Sequence, residues 1–292
     1  MTERFLISVD ELRDELTTST APIVVDASVE RGGPGRPNYV PGEALFADVH
    51  IPGAVHADLI AGFSDAASGL SFTEPGAAGL ATAAAALGIR QESPVVVYDV
   101  HDGTWAARLW WLLRAYGYGD VRILDGGLRA WSAAGLPAET GRGAPVSVEP
   151  QDAVVLQRAF DAFGTAPFVG RAEVEAADAE GAAVVCALKP EAYRGERAAG
   201  KRPGHIPGSI NVPYADAIDH STRHHLDPQA LVDAVGGADT RVIAYCGGGV
   251  NAAGLGFALL RGGARRVSVY DGSLSEWTTD PDAPLVLGAH PR

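Results

Sequence analysis

The chain has 292 residues, 47% of them hydrophobic, and 36 acidic against 23 basic side chains give a net charge of −13. That length is long for one domain and comfortable for two, each with its own core. The acidic balance argues against nucleic acid or an anionic membrane as partner, and no apolar run approaches the about 18 residues of a membrane helix. Two cysteines, Cys186 and Cys246, make no disulfide framework. The first residues carry charge and no long apolar stretch, which argues against a signal peptide and, with the lone thiols, leads us to expect a reducing cytoplasm.

In chain order, Pro22 to Asp26 reads as a β-branched strand, and the Gly/Pro-rich run from Arg31 to Arg36 as a surface loop, with a lid as the alternative. Ala77 to Leu87 is an Ala-rich helix and Pro94 to Tyr98 the next strand. Trp105 to Tyr116 has Leu109, Leu112 and Leu113 on one side, which predicts a helix with Trp105, Trp110 and Trp111 in the core. Val121 to Leu124 is a further strand, and Leu136 to about Pro150 has the composition of a linker. Strands alternating with helices predict an α/β fold, with mainly parallel sheets flanked by helices.

The chain repeats itself. Val24-Val-Asp-Ala27 returns as Val184-Val-Cys-Ala187, and His50-Ile-Pro-Gly53 as His205-Ile-Pro-Gly208. Val95-Val-Val-Tyr-Asp99 returns as Val242-Ile-Ala-Tyr-Cys246, and Val121 to Trp131 as Val267 to Trp277. Four matches in the same order predict a duplicated domain, residues 1–140 and 150–292.

The second half holds the most informative stretch. Arg241 to Tyr245 is a strand; Gly247, Gly248 and Gly249 follow Cys246; and from Asn251 a helical pattern runs to Gly262-Gly263. Glycines let backbone N–H groups turn toward one point, here the Cys246 sulfur, and a ring of donors at a helix N-terminus favours an anion there. The N–H groups of Gly247 to Asn251, Val250 included, are therefore the expected cradle for a thiolate or a thiol-borne anion. A plain buried cysteine at a tight turn is the competing reading.

The duplicated His-Ile-Pro-Gly, the Tyr-Cys-Gly-Gly-Gly-Val turn and the terminal Tyr270-Asp-Gly-Ser-Leu-Ser-Glu-Trp277 together resemble the tandem-domain rhodaneses, the thiosulfate and 3-mercaptopyruvate sulfurtransferases. The resemblance implies two rhodanese-like domains and a sulfurtransferase. Cys246 would take sulfane sulfur from a small anionic donor, carry it as a persulfide, and pass it to a thiophilic acceptor such as cyanide, a thiol or a thioredoxin-like protein. It implies no cofactor and no metal. Asp99 stands where the first half would need its cysteine, so that half is expected to be silent. The chain departs from the family in three places. Gly247 and Gly248 replace the cations of thiosulfate enzymes, and Gly248 also replaces the serine of the mercaptopyruvate type. Leu188 and Ala192 fall where substrate-binding arginines are usual. Arg194, Arg197, Lys201 and Arg202 are nearby substitutes, of which Arg194 is expected to touch substrate.

Two rivals remain at this stage. Cysteine phosphatases of related fold need an arginine six positions after the cysteine, and here that place is Ala252. A non-catalytic binding or regulatory protein of the same family is the other, weakened by the intact glycine turn. His220, His224 and His225 read as solvated loop residues in preference to metal ligands, and His50 and His205, present in both halves, as structural. Cys186 stands where the first half has Asp26. It is either a small apolar replacement in a buried strand or a thiol able to resolve an oxidised Cys246, a question for geometry.

Overall fold

The computed structural model describes residues 4–32, 37–143, 146–151 and 163–291. Residues 33–36 of the Gly/Pro-rich loop and 144–145 of the expected linker lie outside the described residues. The chain divides into two compact units. One comprises Met1–Asp65, Glu74–Arg158 and His220–His225; the other comprises Ala66–Thr73, Ala159–Asp219 and Leu226–Arg292.

The first unit holds strands β1 (Leu6–Ile7), β2 (Ile23–Asp26), β3 (Val29–Arg31), β4 (Tyr39–Pro41), β5 (Val55–His56), β6 (Val95–Tyr98) and β7 (Val121–Leu124). Its helices are α1 (Val9–Glu15), α2 (Glu43–Asp48), α3 (Gly76–Ala86), α4 (Thr104–Ala115) and α5 (Gly127–Ala133). The second unit holds β8 (Phe168–Val169), β9 (Ala183–Cys186), β10 (Ile210–Asn211), β11 (Arg241–Tyr245) and β12 (Arg266–Tyr270). It carries α6 (Arg171–Ala176), α7 (Pro190–Tyr193), α8 (Gln229–Ala234), α9 (Val250–Arg261) and α10 (Ser273–Trp277).

Both five-stranded sheets are parallel and share one order, β1-β7-β6-β2-β5 in the first unit and β8-β12-β11-β9-β10 in the second. Their central strands are buried along nearly their whole length, which is why the sequence shows continuous apolar runs in place of alternation. Antiparallel β3 and β4 form a separate pair in the first unit, without a counterpart among the described residues of the second. Trp105, Trp110 and Trp111 are all buried on α4, and the Trp110 indole N–H is satisfied by the Val121 carbonyl at 2.8 Å. Among the described residues, no helix is long and apolar enough to cross a membrane.

The repeated His-Ile-Pro-Gly turns are fixed in the same way twice. His50 stacks on Phe46, centroids 3.9 Å apart, with Nδ1 on the Phe46 carbonyl at 2.8 Å; His205 stacks on Tyr193 at 3.7 Å, with Nδ1 on the Tyr193 carbonyl at 2.8 Å. The next N–H donates to a tyrosine hydroxyl at the end of the middle strand: Ile51 to Tyr98 at 3.3 Å, Ile206 to Tyr245 at 3.1 Å. Both histidines are buried and their rings engaged, so their work is structural. The Tyr245 hydroxyl also meets Ser209 Oγ at 2.8 Å, tying this turn to the residue before Cys246.

Cys186 ends β9 in register with Tyr245 and packs among Tyr193, Ile206, Ile243 and Tyr245. Burial pushes its thiol up to about 12, against hydrogen bonds from the Leu188 N–H and the Tyr245 side chain. The nearby Cys246 thiol pushes it in the same direction as burial. A protonated, enclosed thiol makes a poor attacking group, and the packing role is the one the geometry supports.

Two outcomes are expected. At pH 8 a thiol of that character is about one part in ten thousand thiolate, so iodoacetamide leaves Cys186 unmodified until the protein is denatured, as peptide mapping would read. Tyr245→Phe leaves the buried Ile206 N–H without its acceptor and lowers stability by about 1–3 kcal/mol in urea unfolding.

Candidate active site

β11 lies between β9 and β12, and in parallel sheets ligands gather beyond the carboxyl ends of such strands. Cys246 is the first residue past that end and is 3% exposed. Gly247 and Gly248 carry the chain to Gly249, whose φ of 79° caps α9 in the left-handed region open to glycine. The turn is braced from the segment after β12. The Cys246 carbonyl accepts the Leu274 N–H at 3.1 Å, and the Gly247 carbonyl accepts both the N–H and the hydroxyl of Ser275, at 2.8 and 2.7 Å.

The expected convergence of all the glycine N–H groups on the sulfur does not hold. The Gly249 N–H is donated to Ser273 Oγ at 3.1 Å, as is that of Cys246 itself, because the serine hydroxyl sits inside the turn. The N–H groups of Val250, Asn251 and Ala252, the first turn of α9, have no acceptor among the described residues. Orphan donors at a helix start favour an anion in front of them. Sequence reasoning missed Ser273 and Ser275; the one signal was that Ser273 stands against Gly127 in the repeat.

The first half shows what such a turn does with a built-in anion. Asp99 occupies the place after β6, and its carboxylate accepts four backbone N–H groups. Oδ1 takes His101 at 2.8 Å and Gly103 at 3.1 Å; Oδ2 takes Trp105 and Ala106, both at 3.0 Å. Burial and the neighbouring Asp102 push the carboxyl up, and the N–H donors work against them. Trp105 and Ala106 are the second and third residues of α4, as Asn251 and Ala252 are of α9.

The cations sort into two kinds. Arg194 forks onto Glu196 through Nε at 2.6 Å and a terminal nitrogen at 3.2 Å. Arg202 donates to the carbonyls of Asp280 and Ala283, at 2.8 and 2.7 Å. Arg197 and Lys201 are exposed, and their side chains have no partner among the described residues. Their segment lies against the turn: a Cβ on Gly247 would come within 3.1 Å of the Ala199 carbonyl, and the Lys201 N–H donates to Thr278 Oγ1 at 2.9 Å. Gly248 is roomier, a Cβ there meeting nothing closer than Ser275 Oγ at 3.6 Å.

Of the three histidines expected in solvent, His225 alone is placed differently. His220 is exposed, but His224 and His225 hold Asp125 between them, Nδ1 to carboxylate at 2.9 and 3.0 Å, and the His225 side chain is 1% exposed. Burial alone would raise the Asp125 carboxyl; the histidine hydrogen bonds outweigh it and hold it at about 2. His224 keeps its expected place in solvent, its side chain 48% exposed, and only His225, which also donates its backbone N–H to the carboxylate, is taken out of water. Among the described residues, no group of three or more His, Cys, Asp or Glu is arranged to hold a metal.

The chain is similar to known proteins over most of its length. It is 37% identical over 253 residues to a Mycobacterium tuberculosis (strain H37Rv) protein named “Putative thiosulfate sulfurtransferase SseB”, covering 85% of this chain and 86% of that one. It is 36% identical over 263 residues to a Pseudomonas aeruginosa protein named “Probable 3-mercaptopyruvate sulfurtransferase”, covering 86% and 88%. The crystal structure of SseA from Escherichia coli, described with the rhodanese fold of 3-mercaptopyruvate sulfotransferases, superposes with a TM-score of 0.76 at 28% identity, over 94% of this chain and 100% of that one. A rhodanese-like domain matches twice, over residues 8–134 and 175–280, and the chain belongs to that family.

Proposed function

We propose that the protein is a sulfurtransferase that moves sulfane sulfur from 3-mercaptopyruvate or thiosulfate to a thiophilic acceptor, with Cys246 as the carrier. The observation that carries the assignment is the place of Cys246 at the end of β11, before a helix start whose first N–H groups have no protein acceptor. The corresponding place in the first half is filled by a carboxylate. The Cys246 thiolate attacks the donor sulfur. With thiosulfate the S–S bond breaks and sulfite leaves. With 3-mercaptopyruvate the C–S bond breaks, and the pyruvate enolate takes up the proton that the new persulfide releases. The acceptor then attacks the outer sulfur, cyanide leaving as thiocyanate and a thiol as its own persulfide, and Cys246 returns as thiolate. Orphan N–H groups of Val250, Asn251 and Ala252 stabilise the anion at both stages.

The half 150–292 is the catalytic domain, and the half 1–140 is silent because Asp99 has no sulfur to offer. Lys201 and Arg197, not the engaged Arg194, are the cations available to the donor carboxylate. Acceptors of the right chemistry are cyanide, small thiols or a thioredoxin-like protein, and two free thiols suit a reducing cytoplasm.

After incubation with donor, mass spectrometry finds about 32 Da, one sulfur atom, added to the Cys246 peptide alone. Cys246→Ala loses both the adduct and thiocyanate formation; full activity in that variant would refute Cys246 as the carrier, whereas a parent chain that forms neither adduct nor thiocyanate would be a binding protein of the family. The ratio of kcat/KM values favours 3-mercaptopyruvate over thiosulfate, because Gly247 and Gly248 bring no cation to a dianion. A tenfold preference for thiosulfate would refute that. Gly248→Ser folds like the parent, there being room for its Cβ, and raises the ratio further.

A further inference from the structure

We propose that Ser273 is a positioning residue for the sulfur-carrying turn, its hydroxyl doing for Cys246 what the Asp99 carboxylate does for its own turn. The proposal rests on Cys246 as carrier. Ser273 is fully buried, and its hydroxyl donates to the Tyr270 carbonyl at 2.8 Å. With the hydrogen committed, both lone pairs face the turn, where they accept the N–H groups of Cys246 and Gly249 at 3.1 Å each. Those residues are the first of the turn and the cap of α9, so one oxygen pins both ends.

The corresponding residue of the first half is Gly127, which has no such group. It needs none, because Asp99 Oδ1 takes the N–H of the helix cap Gly103 directly. It could not hold one either, since a Cβ on Gly127 would lie 2.5 Å from the Asp99 carbonyl. Ser273 keeps the backbone this position demands, φ +48° against +56° at Gly127, although a side chain is disfavoured there. Strain accepted in a buried residue that satisfies two orphan donors points to a task.

The physical reason is a conflict at the residue that opens the turn. A side chain that braces its own turn is bonded to it, as Asp99 is, and is unavailable as a nucleophile. A cysteine that carries sulfur must stay unbonded, so the brace has to come from elsewhere. Ser273 supplies it from the segment after β12 and leaves the N–H groups that open α9 without a protein acceptor.

The test uses Ser273→Ala and Ser273→Gly in the full chain, each also combined with Cys246→Asp. In the Cys246 background, kcat for sulfur transfer to cyanide falls about 10- to 100-fold with KM changed about twofold or less, since the displaced group acts on the reacting atom and not on donor binding. The melting temperature falls by about 5 °C. In the Cys246→Asp background the carboxylate takes over the Gly249 N–H, and the same substitutions lower the melting temperature by less than half as much. Ser273→Gly relieves the backbone strain and keeps the experiment readable if Ser273→Ala folds poorly. A kcat within about twofold of the parent, or an equal thermal loss in both backgrounds, overturns the proposal. Should Cys246 not carry sulfur, the missing adduct reports that separately, and the thermal comparison still decides whether Ser273 braces the turn.

Discussion

The structure of both halves turns on the unpaired N–H groups where the middle strand passes into a helix. A buried donor left without an acceptor costs about 1–3 kcal/mol, and a helix start presents several at once. The first half settles this inside one residue, the Asp99 carboxylate taking four donors. The second half divides the work. Ser273 takes the donors at the two ends of the turn, and those of the first helical turn remain for whatever anion the cysteine bears. A site that needs its ligand to complete its hydrogen bonding binds an anionic sulfur better than a neutral thiol, and that difference is what a two-step transfer uses.

The halves differ at this residue, and they differ at its neighbours as well. In the first half buried Asp26 has His56 beside it, Nδ1 at 3.4 Å; in the second the same register pair is Cys186 and Asn211, whose amide donates to the carbonyls of Cys186 and Leu188 at 2.9 and 2.7 Å. One half keeps an acid and an imidazole where the other keeps two neutral groups. The β3–β4 pair, found among the described residues in the first half alone, is stitched to the Asp99 turn. The Val100 N–H donates to Ser28 Oγ, His101 Nε2 meets the Val29 carbonyl at 2.9 Å, and Tyr39 packs edge-on against Trp105. The Asp99 turn is thus filled from within and covered from outside. By contrast the stacked pairs Phe46–His50 and Tyr193–His205, which touch no reacting group, stayed alike.

Much of this was legible in the residues, and the parts that were not share a cause. Val121–Leu124 and Arg241–Tyr245 fall where their β-branched runs place them, and α4 and α9 begin within one residue of expectation, because length and burial make those signals strong. The edge strands Leu6–Ile7 and Phe168–Val169 have two residues each, too few for any period to show. The glycines announced the turn at Cys246 but not the direction of its N–H groups, which depends on a serine far along the chain. Asp125 drawing His225 out of water is a contact of the same kind. Local patterns reveal elements; what an element's polar groups meet is decided by tertiary partners that no window of sequence contains.

Charge completes the account. A chain with a net charge of −13 that takes an anionic donor must attract it locally. Screening makes that feasible, since the overall field fades beyond about 8 Å at physiological salt, and the donor meets only the charges beside it. Of the four cations between Arg194 and Arg202, Glu196 neutralises the first, and carbonyl oxygens hold the last in a structural contact. Lys201 and Arg197 remain, on long side chains at the surface, while residues 247 and 248 next to the sulfur are uncharged. The side-chain cations on offer therefore come from the neighbouring segment and not from the turn itself. A donor whose carboxylate is separated from its sulfur by carbon atoms suits that arrangement. Thiosulfate, with both negative charges on or within two bonds of the transferred sulfur, would need its cations at the turn itself, where this chain has only glycine.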